Sequence, residues 1–177
     1  MIPIPPAPRI DTDRLALRTP RLDDAPRLAV LANDFDIARM TTRLPHPYGL
    51  ADAQDFLART AVQDLSREVK FAIETADDGL VGVIGLYPRG PLGPEVGYWI
   101  GRPYWGRGLA TEAARAVLSW ARTVWGRRAV VSGHFTDNPA SGRVLEKAGF
   151  LYTGEVQPRP CAARGEVAPT RMMIWLA

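Results

Sequence analysis

The chain has one cysteine, Cys161, and two histidines, His46 and His134. A lone thiol excludes an internal disulfide and a cysteine metal cluster. Two histidines so far apart in sequence give no zinc-motif spacing, so no metal is expected. Lysine is nearly absent, at Lys70 and Lys147 alone. Arginine carries the positive charge instead, scattered over the whole length with no dense run. With a net charge of only +3, this scatter argues against a nucleic-acid arm but leaves room for an anionic small molecule. No apolar run is long enough to span a bilayer, which argues against a membrane partner. Met1-Ile2-Pro3-Ile4-Pro5-Pro6-Ala7-Pro8 lacks the basic start and apolar core of a secretory signal. Residues 1–9 are expected to form an extended, poorly ordered lead-in. A cytoplasmic enzyme is the default expectation.

What is present fits one soluble domain over residues 1–177, since 46% of residues are hydrophobic and 23% charged. A chain of this length buries roughly 70% of its unfolded surface. No internal repeat is visible. Alternation over residues 14–18 predicts strand 1. Three helical patterns follow. The first opens at Asp23-Asp24 with Pro26 in its first turn, the second spans residues 35–40, and the third covers residues 53–65 after Asp52. Residues 70–74, 80–86 and 95–100 predict strands 2, 3 and 4 as a meander, with an Asp-Gly turn at Asp78-Gly79. Gly97 inside strand 4 suggests a bulge or the close approach of another backbone. Residues 109–124 carry Leu109, Ala113, Val117, Trp120 and Val124 on one helical stripe. Residues 128–135, 150–155 and 170–176 predict strands 5, 6 and 7. Asn138 caps a helix that Pro139 opens and Gly149 ends. Residues 158–169 read as a long loop, uncommon in a compact domain unless functional.

The stretch with the most chemistry is Trp105-Gly106-Arg107-Gly108-Leu109-Ala110-Thr111. It joins a strand to a helix. Two glycines permit positive φ and close backbone approach. The first helical turn presents amide N–H groups without intrahelical partners, and the helix dipole adds positive potential. A phosphate or pyrophosphate suits such a site; a plain strand-to-helix connection would also use two glycines.

Two motifs stand together: Glu95-Val96-Gly97-Tyr98-Trp99-Ile100 running on to the glycine turn, and Asn138-Pro139-Ala140-Ser141-Gly142-Arg143-Val144-Leu145. With Arg14-Leu15-Ala16-Leu17-Arg18 near the start, the chain resembles the GNAT superfamily of acetyl-CoA-dependent N-acetyltransferases, most closely its Rim-type branch. The resemblance covers essentially the whole chain. It implies an α/β fold with a mixed, mostly antiparallel seven-stranded sheet, flanked by helices and splayed between strands 4 and 5. It implies acetyl-CoA as cosubstrate and a primary amine as acceptor, either a small molecule or a protein N-terminus. The protein would be a monomer or homodimer. The turn from Trp105 to Thr111 would hold the pyrophosphate. Trp99, Ile100 and Gly101 would pair with the pantetheine arm, and Asn138 would contact the same cofactor.

Transfer needs a base for the ammonium proton, a donor for the developing oxyanion and an outlet for the thiolate. Glu95 is the candidate base, with His134 second; each could instead be structural. Many superfamily members carry tyrosine as the thiolate's acid where this chain has Leu145, which cannot donate a proton. The resemblance to the Rim-type branch puts Ser141 forward as its substitute. The missing tyrosine keeps open an alternative, a non-catalytic CoA-binding regulatory module.

Overall fold

The computed structural model describes residues 8–177, so most of the expected lead-in over residues 1–9 lies outside the described residues. Two short strands, β1 (Ile10–Asp11) and β2 (Leu15–Arg18), pair antiparallel, Ile10 opposite Leu17. Helices α1 (Ala25–Ala32), α2 (Phe35–Ala38) and α3 (Leu50–Ala61) follow. Then come β3 (Val69–Thr75), β4 (Gly79–Tyr87), β5 (Glu95–Ile100) and helix α4 (Leu109–Thr123). The chain ends with β6 (Ala129–Phe135), helix α5 (Pro139–Lys147), β7 (Leu151–Cys161) and β8 (Glu166–Leu176). The strands form one eight-stranded sheet in the order β1-β2-β3-β4-β5-β6-β8-β7. The eighth strand is β1, whose two residues are too few to show alternation in sequence.

The anticipated splay is present. β5 and β6 are the one parallel pair of the sheet, and they share a single register pair, Glu95 with Val131. Beyond it the strands part, and the cleft between them organises the site. Helices cover both sheet faces, which explains why β3 is buried along Val69, Phe71, Ala72 and Ile73 rather than on alternate residues. Leu28 of α1, Leu57 of α3 and Leu118 of α4 are essentially inaccessible, and each contributes about 1.5–3 kcal/mol by burial.

Four local expectations change. The buried face of α4 runs through Leu109, Ala113, Val117, Leu118 and Ala121, while Val124 lies past the helix end and is exposed. α3 starts at Leu50 because the Asp52 carboxylate reaches back to accept the Gly49 N–H at 2.8 Å, and it ends before Leu65. Gly97 sits in a regular ladder opposite Gly85, and what approaches it is the Tyr87 ring, 3.5 Å from where a Cβ would stand.

The largest change concerns residues 158–169, which are not a loop. β7 and β8 continue as a hairpin with Pro158 opposite Pro169 and Cys161 opposite Glu166. Proline is tolerated in β7 because that strand is the sheet edge. Pro169 lies just beyond the β6 ladder, and its carbonyl accepts the Thr136 N–H at 2.9 Å. The hairpin tip folds onto the segment after α2. Ala162 N–H donates to Thr42 O at 3.1 Å, and Arg164 donates to Arg39 O at 2.7 Å and pairs with Asp137 at 2.9 Å. Cys161 is buried there with Phe135 and Ala168.

Candidate active site

The glycine turn folds as its sequence requires. Gly106 and Gly108 have φ of +77° and +75°, a region that side chains with a Cβ rarely adopt. The first helical bond of α4 runs from Glu112 N–H to Gly108 O at 3.1 Å. The amides of residues 106–111 have no acceptor among the described residues. Six donors are therefore left without a partner at the positive end of a fifteen-residue helix. The side chain of Arg107 points away, paired with Asp78 at 2.9 Å, so its part in the turn is played by the backbone. Trp105 donates its indole N–H to Ile100 O at 2.6 Å and ties the turn to the end of β5.

A clamp from the first hairpin holds this turn. The Glu112 carboxylate accepts from Thr12 Oγ1 at 2.7 Å, Arg14 N at 3.0 Å and Arg14 Nε at 2.7 Å. Arg14 Nη1 then donates to Arg107 O at 2.8 Å. Desolvation favours the protonated form of Glu112, but the bonds from Thr12 and Arg14 outweigh it and hold the carboxyl below its ordinary range. A guanidinium on the carbonyl of the Arg107–Gly108 peptide also polarises the N–H of that same peptide.

The edge of β5 that faces the cleft follows from ladder parity. Gly101 N–H donates to Val81 O at 2.8 Å, so these opposing residues form a hydrogen-bonded pair with β4. Alternation then turns the main-chain groups of Glu95, Gly97, Trp99 and Gly101 toward β4, and those of Val96, Tyr98 and Ile100 toward β6. Ser132 Oγ donates to Val96 O at 3.0 Å from that side, as parity requires. Ile100 O is taken by Trp105. The Tyr98 N–H and C=O and the Ile100 N–H are left facing the gap. Of the expected positions Trp99, Ile100 and Gly101, only Ile100 turns main-chain groups to the gap, with Tyr98 beside it; the main chain of Trp99 and Gly101 faces β4, and Trp99 lines the cleft with its side chain.

Across the gap lies the first turn of α5. Asn138 Oδ1 accepts the Ser141 N–H at 3.2 Å, making Asn138 the N-cap, while its side-chain NH2 has no acceptor among the described residues. The Ser141 Oγ lies 2.8 Å from the Tyr98 phenol oxygen. Desolvation pushes that phenol well above its ordinary value of 10, so it stays protonated. His134 is buried, with Nδ1 2.9 Å from Phe135 O and Nε2 3.0 Å from the Tyr152 hydroxyl. A carbonyl can only accept, so Nδ1 carries a proton there, and Nε2 and the Tyr152 hydroxyl share the second hydrogen bond. Gly142 makes room for this pair, since a Cβ there would stand 2.8 Å from His134 Nε2. Leu145 is fully buried in the main core and does not line the cleft.

The cleft beyond has a volume of about 470 Å³. It brings together Glu95, Trp99, Ser141 and His134. Glu95 is held bidentately by Arg159 at 2.9 and 3.1 Å and approached by Arg89 at 3.3 Å. Its carboxylate therefore also pins the β7–β8 hairpin, a role that no local signal in the sequence announces. Sequence reasoning missed Arg43, Tyr87 and Arg159, none of which lay within a motif singled out. Arg14 and Tyr98 did lie within such motifs, but nothing local announced the contacts of the Arg14 guanidinium or of the Tyr98 hydroxyl. Among the described residues, no group of three His, Cys, Asp or Glu side chains could hold a metal ion, and no helix is long and apolar enough to cross a membrane.

Comparison with known proteins agrees with this geometry. Residues 14–151 match the acetyltransferase (GNAT) domain family. The uncharacterized N-acetyltransferase YoaA of Bacillus subtilis is 29% identical over 157 residues, covering 83% of this chain and 85% of its own. The ribosomal-protein-serine acetyltransferase of Escherichia coli is 33% identical over 81 residues, 44% of this chain and 45% of its own. The solved structure of RimL, a ribosomal alpha-N-protein acetyltransferase in complex with coenzyme A, superposes with a TM-score of 0.82 at 16% identity, covering 96% of this chain and 98% of its own. A splayed sheet, a turn of unpaired amides at its mouth and a match over most of the length converge: the chain belongs to the GNAT acetyltransferase family and is an acetyl-CoA-dependent acyltransferase.

Proposed function

We propose that the protein moves the acetyl group of acetyl-CoA to a primary amine by direct attack, the acceptor being a small amine or a protein N-terminus. The observation that carries this reading is the run of unpaired main-chain donors. It begins at the amides of residues 106–111, continues along β5 at Ile100 and Tyr98, and ends beside Ser141. The turn suits a pyrophosphate, and the β5 edge suits an amide-bearing arm added as a partial strand. We assign the Asn138 side-chain NH2, which has no acceptor among the described residues, to the same arm.

Acetyl-CoA supplies an activated acyl group on sulfur. The Tyr98 N–H is the proposed donor to the carbonyl oxygen as charge develops there. Glu95 takes the ammonium proton through water, at Oε1, which accepts one hydrogen bond from Arg159 and keeps a lone pair. His134 is less suited, because both ring nitrogens are engaged. As the C–N bond forms and the C–S bond breaks, Ser141 donates a hydrogen bond to the departing sulfur. The protonated Tyr98 phenol behind it holds the hydroxyl in place. A screen of amines and N-terminal peptides for acetyl-CoA-dependent CoA release tests this reading. Release with at least one amine is the expected result, and absence of release across the panel counts against it.

A further inference from the structure

We propose that the acceptor amine carries an oxyanion, a carboxylate or a phosphate, and that Arg43 binds it. The proposal rests on the acetyl-transfer reading above and names the class of its acceptor.

The charges lining the cleft are almost all satisfied within the protein. Glu95 is paired with Arg159 and Arg89, Asp55 with Arg59 at 2.8 Å, and Glu68 with Lys70 at 3.1 Å. Asp52 is committed to the N-terminal turn of α3. Arg43 is the exception. It lines the cleft and is exposed, and its guanidinium has no carboxylate partner among the described residues. It rests over the Tyr87 ring, 5.0 Å from the centroid.

That contact fixes the guanidinium without using its N–H groups, since a ring face offers no hydrogen-bond acceptor of its own. The planar fork is left to grip a carboxylate or phosphate bidentately. Lys70 Nζ lies 5.6 Å from the same ring and adds positive potential. Tyr87 also sets the distance. Its ring edge packs on Gly97 in the middle of β5, so one aromatic ring separates Arg43 from the strand beside which the thioester would lie. An amine whose oxyanion is a few bonds from nitrogen spans that gap. A polyamine would find every lining carboxylate engaged and an unpaired cation in its way, which disfavours it.

The test uses the full-length protein and compares acetyl-CoA-dependent CoA release for matched amines. Alanine is compared with alaninamide, phosphoethanolamine with ethanolamine, and spermidine is run beside them. A thermal shift with acetyl-CoA is recorded in parallel. At least one anionic amine should exceed its neutral counterpart in kcat/KM by roughly tenfold or more, and the two arms separate carboxylate from phosphate. Arg43→Gln should bring that ratio toward one through KM, with Arg43→Lys intermediate and the acetyl-CoA shift retained. Equal or better turnover of neutral amines or spermidine would overturn the proposal. So would an unchanged ratio in Arg43→Gln, or no turnover of any anionic amine while acetyl-CoA still stabilises the protein. Loss of the acetyl-CoA shift in the wild type would instead remove the cofactor reading on which the proposal depends.

Discussion

The phenol oxygen of Tyr98, on β5, lies 2.8 Å from the Oγ of Ser141, in the first turn of α5. This contact bridges the two elements across the mouth of the splay, where no main-chain ladder joins them. If the two hydroxyls act as one unit, Ser141→Ala should slow the single-turnover rate roughly tenfold, as expected for one neutral hydrogen bond of about 1 kcal/mol. Tyr98→Phe should slow it less, and the double variant no more than Ser141→Ala alone, because the pair is coupled. Acetyl-CoA affinity should hold in all three. Additive losses would mean that the hydroxyls act separately.

Glu95 faces two demands, proton removal and the bidentate pair with Arg159. Glu95→Gln should lower turnover by about 100-fold and flatten the acid limb of the pH–rate profile if its carboxylate is the base. It should also lower the melting temperature by leaving Arg159, only 12% exposed, without its anion. A lower melting temperature with an unchanged acid limb would leave Glu95 as a strut for the hairpin alone.

The Arg14–Glu112 clamp should matter for cofactor affinity rather than chemistry. Arg14→Ala and Glu112→Gln should each raise the Kd for acetyl-CoA by roughly five- to tenfold, the effect of about one weakened hydrogen bond at the turn. The single-turnover rate at saturating acetyl-CoA should stay near the wild-type value. Affinity unchanged in both variants would show that the turn holds its shape without the clamp.

Arg18 and Asp24 form a nearly buried bidentate pair at 2.8 and 2.9 Å, with Glu74 also on the guanidinium. Burial alone would raise the Asp24 carboxyl, but the hydrogen bonds from Arg18 and from Arg21 N–H prevail and lower it. A carboxyl whose pKa falls on folding adds stability above its unfolded value, about pH 4, and loses it as pH drops through the folded value. Asp24→Asn should therefore cost roughly 3 kcal/mol at neutral pH and less below pH 4. Denaturant titrations at pH 7 and pH 3.5 check the sign; an equal loss at both would contradict it.

Most of the sheet was legible because its strands carry local signals: alternation at Leu15 and Leu17, an Asp-Gly turn before β4, and a glycine turn after β5. The splay and the conformation of the glycine turn were legible because both motifs lie in contiguous sequence. Three features were not. The prolines of β7 look like loop residues until the strand is known to be an edge. The β5 groups facing the gap depend on the parity of the β4 ladder, which no sequence displays, so Trp99, Ile100 and Gly101 could not be told apart by the side to which their main chain turns. The partners of Glu95 and Glu112 come from positions 64 and 98 residues away, and such pairings leave no local trace.

The central claim is that the 105–111 turn and the outward edge of β5 hold acetyl-CoA. Calorimetric titration of acetyl-CoA into wild-type protein and Gly108→Val tests it most directly. The space around Gly108 is open, with only Arg14 Nη2 within 4 Å of a built Cβ, at 3.6 Å, but its φ of +75° disfavours a branched side chain. The account predicts micromolar binding to the wild type, and loss of that binding in a Gly108→Val variant whose circular dichroism spectrum is unchanged. No heat with the wild type at millimolar acetyl-CoA, or undiminished affinity in the folded variant, would contradict it.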